Sequence, residues 1–115
     1  MMWKRLLIVS AVALAAPAGA EPSQLTARTL FESCASDRQS ANYAACAEYM
    51  KDFVRRARSG ATEGNSKTIC LSPDITDIEA VAVFVRMARS REDFLIGSAD
   101  RAVRTALEVS FPCPK

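Results

Sequence analysis

Between Leu25 and Cys113 the apolar residues fall at helical spacing in four stretches, separated by short polar runs. The clearest stretch lies over Ala41–Arg58. Tyr43, Cys46, Ala47, Met50, Phe53, Val54 and Ala57 recur at intervals of three and one, which places them on one face of a helix. Lys51, Asp52, Arg55 and Arg56 fall off that face, and Ser40 stands where an N-cap belongs. Arg55, Arg56 and Arg58 sit in the last turn, where cations suit the helix dipole, and Gly60 supplies a stop. Upstream, a shorter helix starts at the N-cap Thr26 and runs to about Ala35, with Leu30, Phe31 and Cys34 inward. Leu25 and Leu30 form its hydrophobic staple. A third helix is predicted from Thr76 to about Arg89, opened by the capping box Thr76-Asp77-Ile78-Glu79. Its expected core stripe is Ile78, Val81, Ala82, Val85 and Ala88, widened by Val83, Phe84 and Met87, so it should lie centrally or in an interface. The fourth helix follows Ser98 and reaches about Val109, with Ala99, Ala102, Val103, Ala106 and Leu107 inward. No repeat and no strand pattern of consequence appears. The expectation is an all-α fold: a small four-helix domain stapled by disulfides.

The N-terminus has a different pattern. Lys4 and Arg5 precede an apolar run, Leu6 to Ala16, and Pro17-Ala18-Gly19-Ala20 ends in small residues. This is the layout of a secretory signal, with cleavage expected after Ala20, and the run is too short to span a bilayer. The expected division is therefore a cleaved signal over residues 1–20 and one domain over 21–115, acting in the periplasm and free of the membrane once cleaved. The chain of 115 residues carries 15 basic and 13 acidic residues. Setting aside Lys4 and Arg5 leaves thirteen of each, so a neutral domain gives no electrostatic case for nucleic-acid binding.

Composition restricts the chemistry further. The chain has no histidine and no C-x-x-C, which excludes the usual zinc spacings, and no metal or other cofactor is expected. With no histidine base, no free thiol and no phosphate-binding glycine loop, the residues do not read as an enzyme. Asp74 and Asp77 read as helix N-terminal charge, and Glu92 and Asp93 as a solvated turn. Arg86, Arg89, Arg91, Arg101 and Arg104 read as a solvated face.

The even cysteine count in a short exported chain reads as a disulfide framework. Four cysteines allow three pairings, and the count does not choose among them. The pairing inferred is Cys34–Cys46, because a short antiparallel hairpin brings those positions together, and Cys70–Cys113, because each anchors the chain after a long excursion. The second bond would explain why the tail Phe111-Pro112-Cys113-Pro114 is stiffened by two prolines. A domain of this size, with an alanine-rich core, needs such staples.

Function is then expected on loops. The polar run Ser59, Gly60, Ala61, Thr62, Glu63, Gly64, Asn65, Ser66, Lys67, Thr68 hangs between a helix end and the anchor Ile69-Cys70-Leu71. A second segment, Ser90 to Gly97, brings Phe94, Leu95 and Ile96 beside charges. Loops held on a rigid scaffold are common binding elements, so Ser59–Ser66 with Phe94 and Leu95 form the expected partner-binding set. A solvated connector and a core plug are the competing readings of the two segments.

The order of motifs resembles one known family. A helix ending in Cys34, then Cys46-Ala47-Glu48-Tyr49, then Ile69-Cys70-Leu71-Ser72-Pro73, then Phe111-Pro112-Cys113, is similar to the type VI secretion amidase immunity (Tai-type) proteins. The resemblance spans about Leu25 to Pro114. It implies a helical, disulfide-bonded periplasmic protein, often a homodimer, that binds a peptidoglycan-cleaving amidase effector and blocks its cleft with a protruding loop or helix. Two other classes fit a small exported helical chain: a periplasmic acid-stress chaperone of the HdeA type, and an envelope structural protein.

Overall fold

The structure, a computed structural model, describes residues 25–59 and 68–114. The expected signal over residues 1–20 lies outside them, as does the expected helix stop at Gly60. Four α-helices follow in order: α1 (Ala27–Cys34), α2 (Ala41–Ser59), α3 (Asp77–Ser90) and α4 (Ala99–Ser110), with a 3-10 turn, Glu92–Leu95, between the last two. Each helix end lies within a residue of the position that capping and periodicity predict. Among the described residues no strand occurs, only two isolated antiparallel bridges.

The caps explain the starts. The Thr26 hydroxyl accepts from Thr29 N at 3.1 Å. The Ser40 hydroxyl accepts from Tyr43 N at 3.1 Å. The Ser98 hydroxyl accepts from Arg101 N at 3.2 Å. At α3 the capping box closes in both directions, with Glu79 N donating to the Thr76 hydroxyl and Thr76 N donating to the Glu79 carboxylate. Each bond removes an orphan donor from a helix start.

α1 and α3 each pack against the other three helices. Between them lies a core whose largest fully buried side chains are Phe84, Met50, Leu107, Val103 and Cys46. The α2 stripe is buried as predicted, with Ala47 at its margin, and all five inward positions of α4 are buried. In α3 the stripe is rotated from its expected place. Ala80, Val81, Val83, Phe84 and Ala88 are buried, whereas Ile78 is 38% exposed, Ala82 is exposed and Val85 is half-buried. Burying a phenyl ring removes more apolar area from water than burying Ile78 and Ala82 at the helix margin, so Phe84 sets the rotation.

Covalent and backbone ties close the domain at both ends. Cys34 is bonded to Cys46, joining the end of α1 to the second turn of α2 with their Cα atoms 5.1 Å apart. Cys70 is bonded to Cys113, with Cα atoms 4.9 Å apart. Ile69 bridges Pro112, and Cys70 N donates to Phe111 O at 2.9 Å, so Ile69-Cys70 and Phe111-Pro112-Cys113 lie side by side as a short antiparallel clasp. At the other clasp the two N-caps Thr26 and Ser98 are paired. Ala27 N donates to Gly97 O at 3.0 Å and Ala99 N to Leu25 O at 2.9 Å, so α1 and α4 start from one shared bridge. Gly97, at φ +100°, makes the turn into it, a conformation a side chain would strain.

Candidate functional site

Ser59 ends α2 on the exposed surface, and its hydroxyl donates to Arg56 O at 3.0 Å. One residue earlier, the Arg58 guanidinium crosses to the segment before α3 and donates to Ser72 O and Ile75 O, both at 2.7 Å. On the return side Thr68 donates to the Glu108 carboxylate at 2.6 Å, Ile69 is buried, and Cys70 is locked to the tail. Both ends of segment 60–67 are thus held to elements distant in sequence: one by an arginine on two carbonyls, the other by a bridge and a disulfide. Of the expected partner-binding residues, Ser59 lies on this frame, and Gly60, Ala61, Thr62, Glu63, Gly64, Asn65 and Ser66 lie outside the described residues.

The second expected segment behaves differently. Leu95 is 6% exposed and belongs to the core, as the core-plug reading of this segment has it. Phe94 is half-buried, with its ring centroid 6.0 Å from that of Phe84. The residue presented to solvent is Ile96, at 76% exposure. The 3-10 turn at Glu92–Leu95 decides this by turning Leu95 inward and Ile96 outward. A run of three apolar residues carries no periodicity that could have told them apart.

Beside the frame, α2 and the segment before α3 enclose an open groove of about 490 Å³. Lys51, Val54, Arg55 and Arg58 line it from α2, and Ile75 and Asp77 from the other side. Lys51, Val54, Arg55 and Arg58 share a helix face at spacings of three and four. Asp52, just outside, accepts from Arg55 and from Arg56, the latter at 2.9 Å, and the Arg55 bond leads in holding its carboxyl below the usual carboxylate range. Sequence reading assigned these cations to the helix dipole and missed both the groove and the Arg58 crossing, since each depends on where residues 72–77 return.

A third cluster fixes α2 against α4. The Tyr49 hydroxyl donates to the Asp100 carboxylate, and Arg56 lies 3.9 Å from the same carboxylate with its guanidinium stacked 5.5 Å from the Phe53 ring centre. Burial, and then the Asp100 bond, push the Tyr49 phenol well above its ordinary value, so it remains a donor at all physiological pH. Cys46 and Tyr49, one turn apart on α2, therefore tie that helix to α1 covalently and to α4 by a charge-assisted hydrogen bond.

Asp77 occupies the first turn of α3, and Asp93 pairs with Arg91 at 3.3 Å. Among the described residues no group of acidic or sulfur ligands converges on a metal-sized point, and no helix is long and apolar enough to cross a membrane. What the arrangement offers is a rigid edge for recognition: two fixed chain ends, with a basic groove alongside.

No curated protein and no solved structure matches the chain. A model of one family, described as Rap1a immunity proteins, matches residues 26–113, from the cap of α1 to the last cysteine. That span holds every helix of the described residues, both disulfides and both clasps, and the chain belongs to the Rap1a immunity proteins.

Proposed function

We propose that the protein is a periplasmic immunity protein that binds a type VI secreted peptidoglycan amidase and occludes its cleft with segment 59–68. The family is an immunity family, which supports binding of a secreted effector without catalysis by the chain itself. The amidase as target comes from the resemblance of the C-x-x-Y, Ile-Cys-Leu and Phe-Pro-Cys motifs. Export follows from the signal pattern, with the acting chain beginning at Glu21. The observation that carries the reading is the double anchoring of segment 60–67 by Arg58 and by the Cys70–Cys113 clasp. Fixing both ends of a polar segment lowers the conformational entropy lost when it docks, and preorganised loops gain affinity by this route. The same reading allows a homodimer, which analytical ultracentrifugation would report.

The test is inhibition of a panel of purified type VI peptidoglycan amidases, with isothermal titration of each. The expected result is tight binding and inhibition of at least one. Replacing residues 60–66 by a Gly-Ser run of equal length should weaken that binding more than tenfold while leaving the thermal melt unchanged. Failure to bind or inhibit any amidase overturns the target. Undiminished affinity of the replaced chain moves the interface off this segment.

A further inference from the structure

From the groove beside Ser59 we infer that the protein receives an acidic, apolar-tipped segment of its partner there, in addition to whatever segment 60–67 contributes. The inference deepens the immunity reading and rests on it for the identity of the partner, though not for the chemistry of the groove. The α2 wall is cationic: Lys51, Arg55 and Arg58 face one lining carboxylate among the described residues, Asp77. The nearby Asp52 is divided between Arg55 and Arg56, so one carboxylate serves two guanidiniums and leaves the wall positive. Arg58 spends its donors on the carbonyls of Ser72 and Ile75, which orient its charge without neutralising it. Val54 is 4% exposed at the floor, and Ile75, half-buried opposite, completes an apolar strip between the charges. A space of about 490 Å³ is large enough to accommodate one or two side chains of a partner.

The occupant is set by complementarity. A carboxylate beside an aliphatic or aromatic side chain satisfies both the cationic wall and the apolar strip, whereas a basic segment would meet like charge at every approach. Position adds a second argument. Ser59, which lines the groove, is the residue from which segment 60–67 departs, so the groove adjoins the attachment point of the segment proposed to engage the partner. The cavity beside Arg86 also holds Glu79, and its charges balance.

The probe is a synthetic peptide of alternating Glu and Leu, titrated into the full folded domain labelled with nitrogen-15, with a Lys–Leu peptide of equal length as control. The expected result is saturable shifts confined to the amides of Val54, Arg58, Ile75 and their neighbours with the acidic peptide only. The double variant Lys51→Glu/Arg55→Glu should weaken this binding about tenfold, and Arg86→Glu/Arg89→Glu should not. Shifts spread equally over α3 and α4, or equal response to the basic peptide, overturn the inference. With a cognate amidase, K51E/R55E should lower affinity at least tenfold and flatten its salt dependence. If the amidase binds the wild type and the double variant equally, the groove assignment falls and the immunity reading stands. If no amidase binds, that reading falls, and the peptide titration still decides the groove.

Discussion

The two disulfides should differ in how they answer to a reductant. Cys34 and Cys46 are 4% and 0% exposed, sealed beneath α1 and α2. Cys70 is exposed and Cys113 half-buried at the clasp. Thiol–disulfide exchange needs a thiolate to reach a sulfur, so in the native state only the Cys70–Cys113 bond is open to attack. That bond joins residues 43 apart and the inner one residues 12 apart. Chain entropy then gives the outer bond about 4 kcal/mol and the inner one about 3 kcal/mol at 25 °C. Losing about 4 kcal/mol from a domain whose whole stability is on the order of 5–15 kcal/mol is a large change. With a urea slope near the low end of about 1–3 kcal/mol per molar, as suits so short a chain, the midpoint should fall by about 3 M. The assay is graded exposure to dithiothreitol under native conditions, alkylation with iodoacetamide, peptide mapping by mass spectrometry, and a urea melt of each fraction. The outer pair should be labelled first, with the inner pair labelled only as urea unfolds the core. Labelling of Cys34 and Cys46 before or together with Cys70 and Cys113 would refute the burial argument. An unmoved midpoint after clean reduction of the outer bond would refute the entropic one.

Tyr49→Phe removes the bond to Asp100 and leaves the ring in place, and should cost about 1–2 kcal/mol by chemical denaturation. The Tyr49 phenol holds its proton more tightly folded than unfolded, so above the ordinary tyrosine value of about 10 the unfolded chain binds fewer protons and stability falls as pH rises. Alkaline melts should show this fall in the wild type and a shallower one in Tyr49→Phe; equal slopes would remove Tyr49 as the cause. Thr76→Ala opens the capping box of α3 and should cost about 1 kcal/mol, read as a lowered melting temperature with near-native helicity by circular dichroism.

Features governed by near neighbours were legible from the residues alone. The Thr76–Glu79 box, the Thr26 and Ser40 caps and the seven-residue stripe of α2 each involve residues within a few positions of one another, so the rules of helix geometry apply directly. The rotation of α3 was not legible, because apolar residues cover most of its circumference and the packing of α3 against α1, α2 and α4, with Phe84 fully buried, chooses among faces that the pattern leaves equal. Leu95 and Ile96 exchanged their expected prominence for a similar reason: a single 3-10 turn decides which points inward. At the candidate site, segment 59–68 is expected from its polarity and its flanking cysteine, and the structure describes only its two ends, Ser59 and Thr68. Sequence reading missed the Arg58 crossing and the groove, which join positions 14 and 17 apart in the chain. No local pattern encodes such a meeting.

The motifs that carry the resemblance turn out to be ties. Cys46 holds α2 to α1 and Tyr49 holds it to α4, while Ile69-Cys70 and Phe111-Pro112-Cys113 form the C-terminal clasp. Altering any of these removes a covalent link, a buried side chain or a charge-assisted hydrogen bond, each on the order of 1–4 kcal/mol. The exposed side chains Lys51, Arg55 and Ser59 do little for stability, since exposed substitutions away from such features stay within about 0.5 kcal/mol. The residues that stabilise the fold are therefore separate from those of the proposed interface. Such a frame leaves the exposed α2 face free to vary at almost no cost to the fold, because the ties that hold α2 in place do not depend on the identity of Lys51, Arg55 or Ser59.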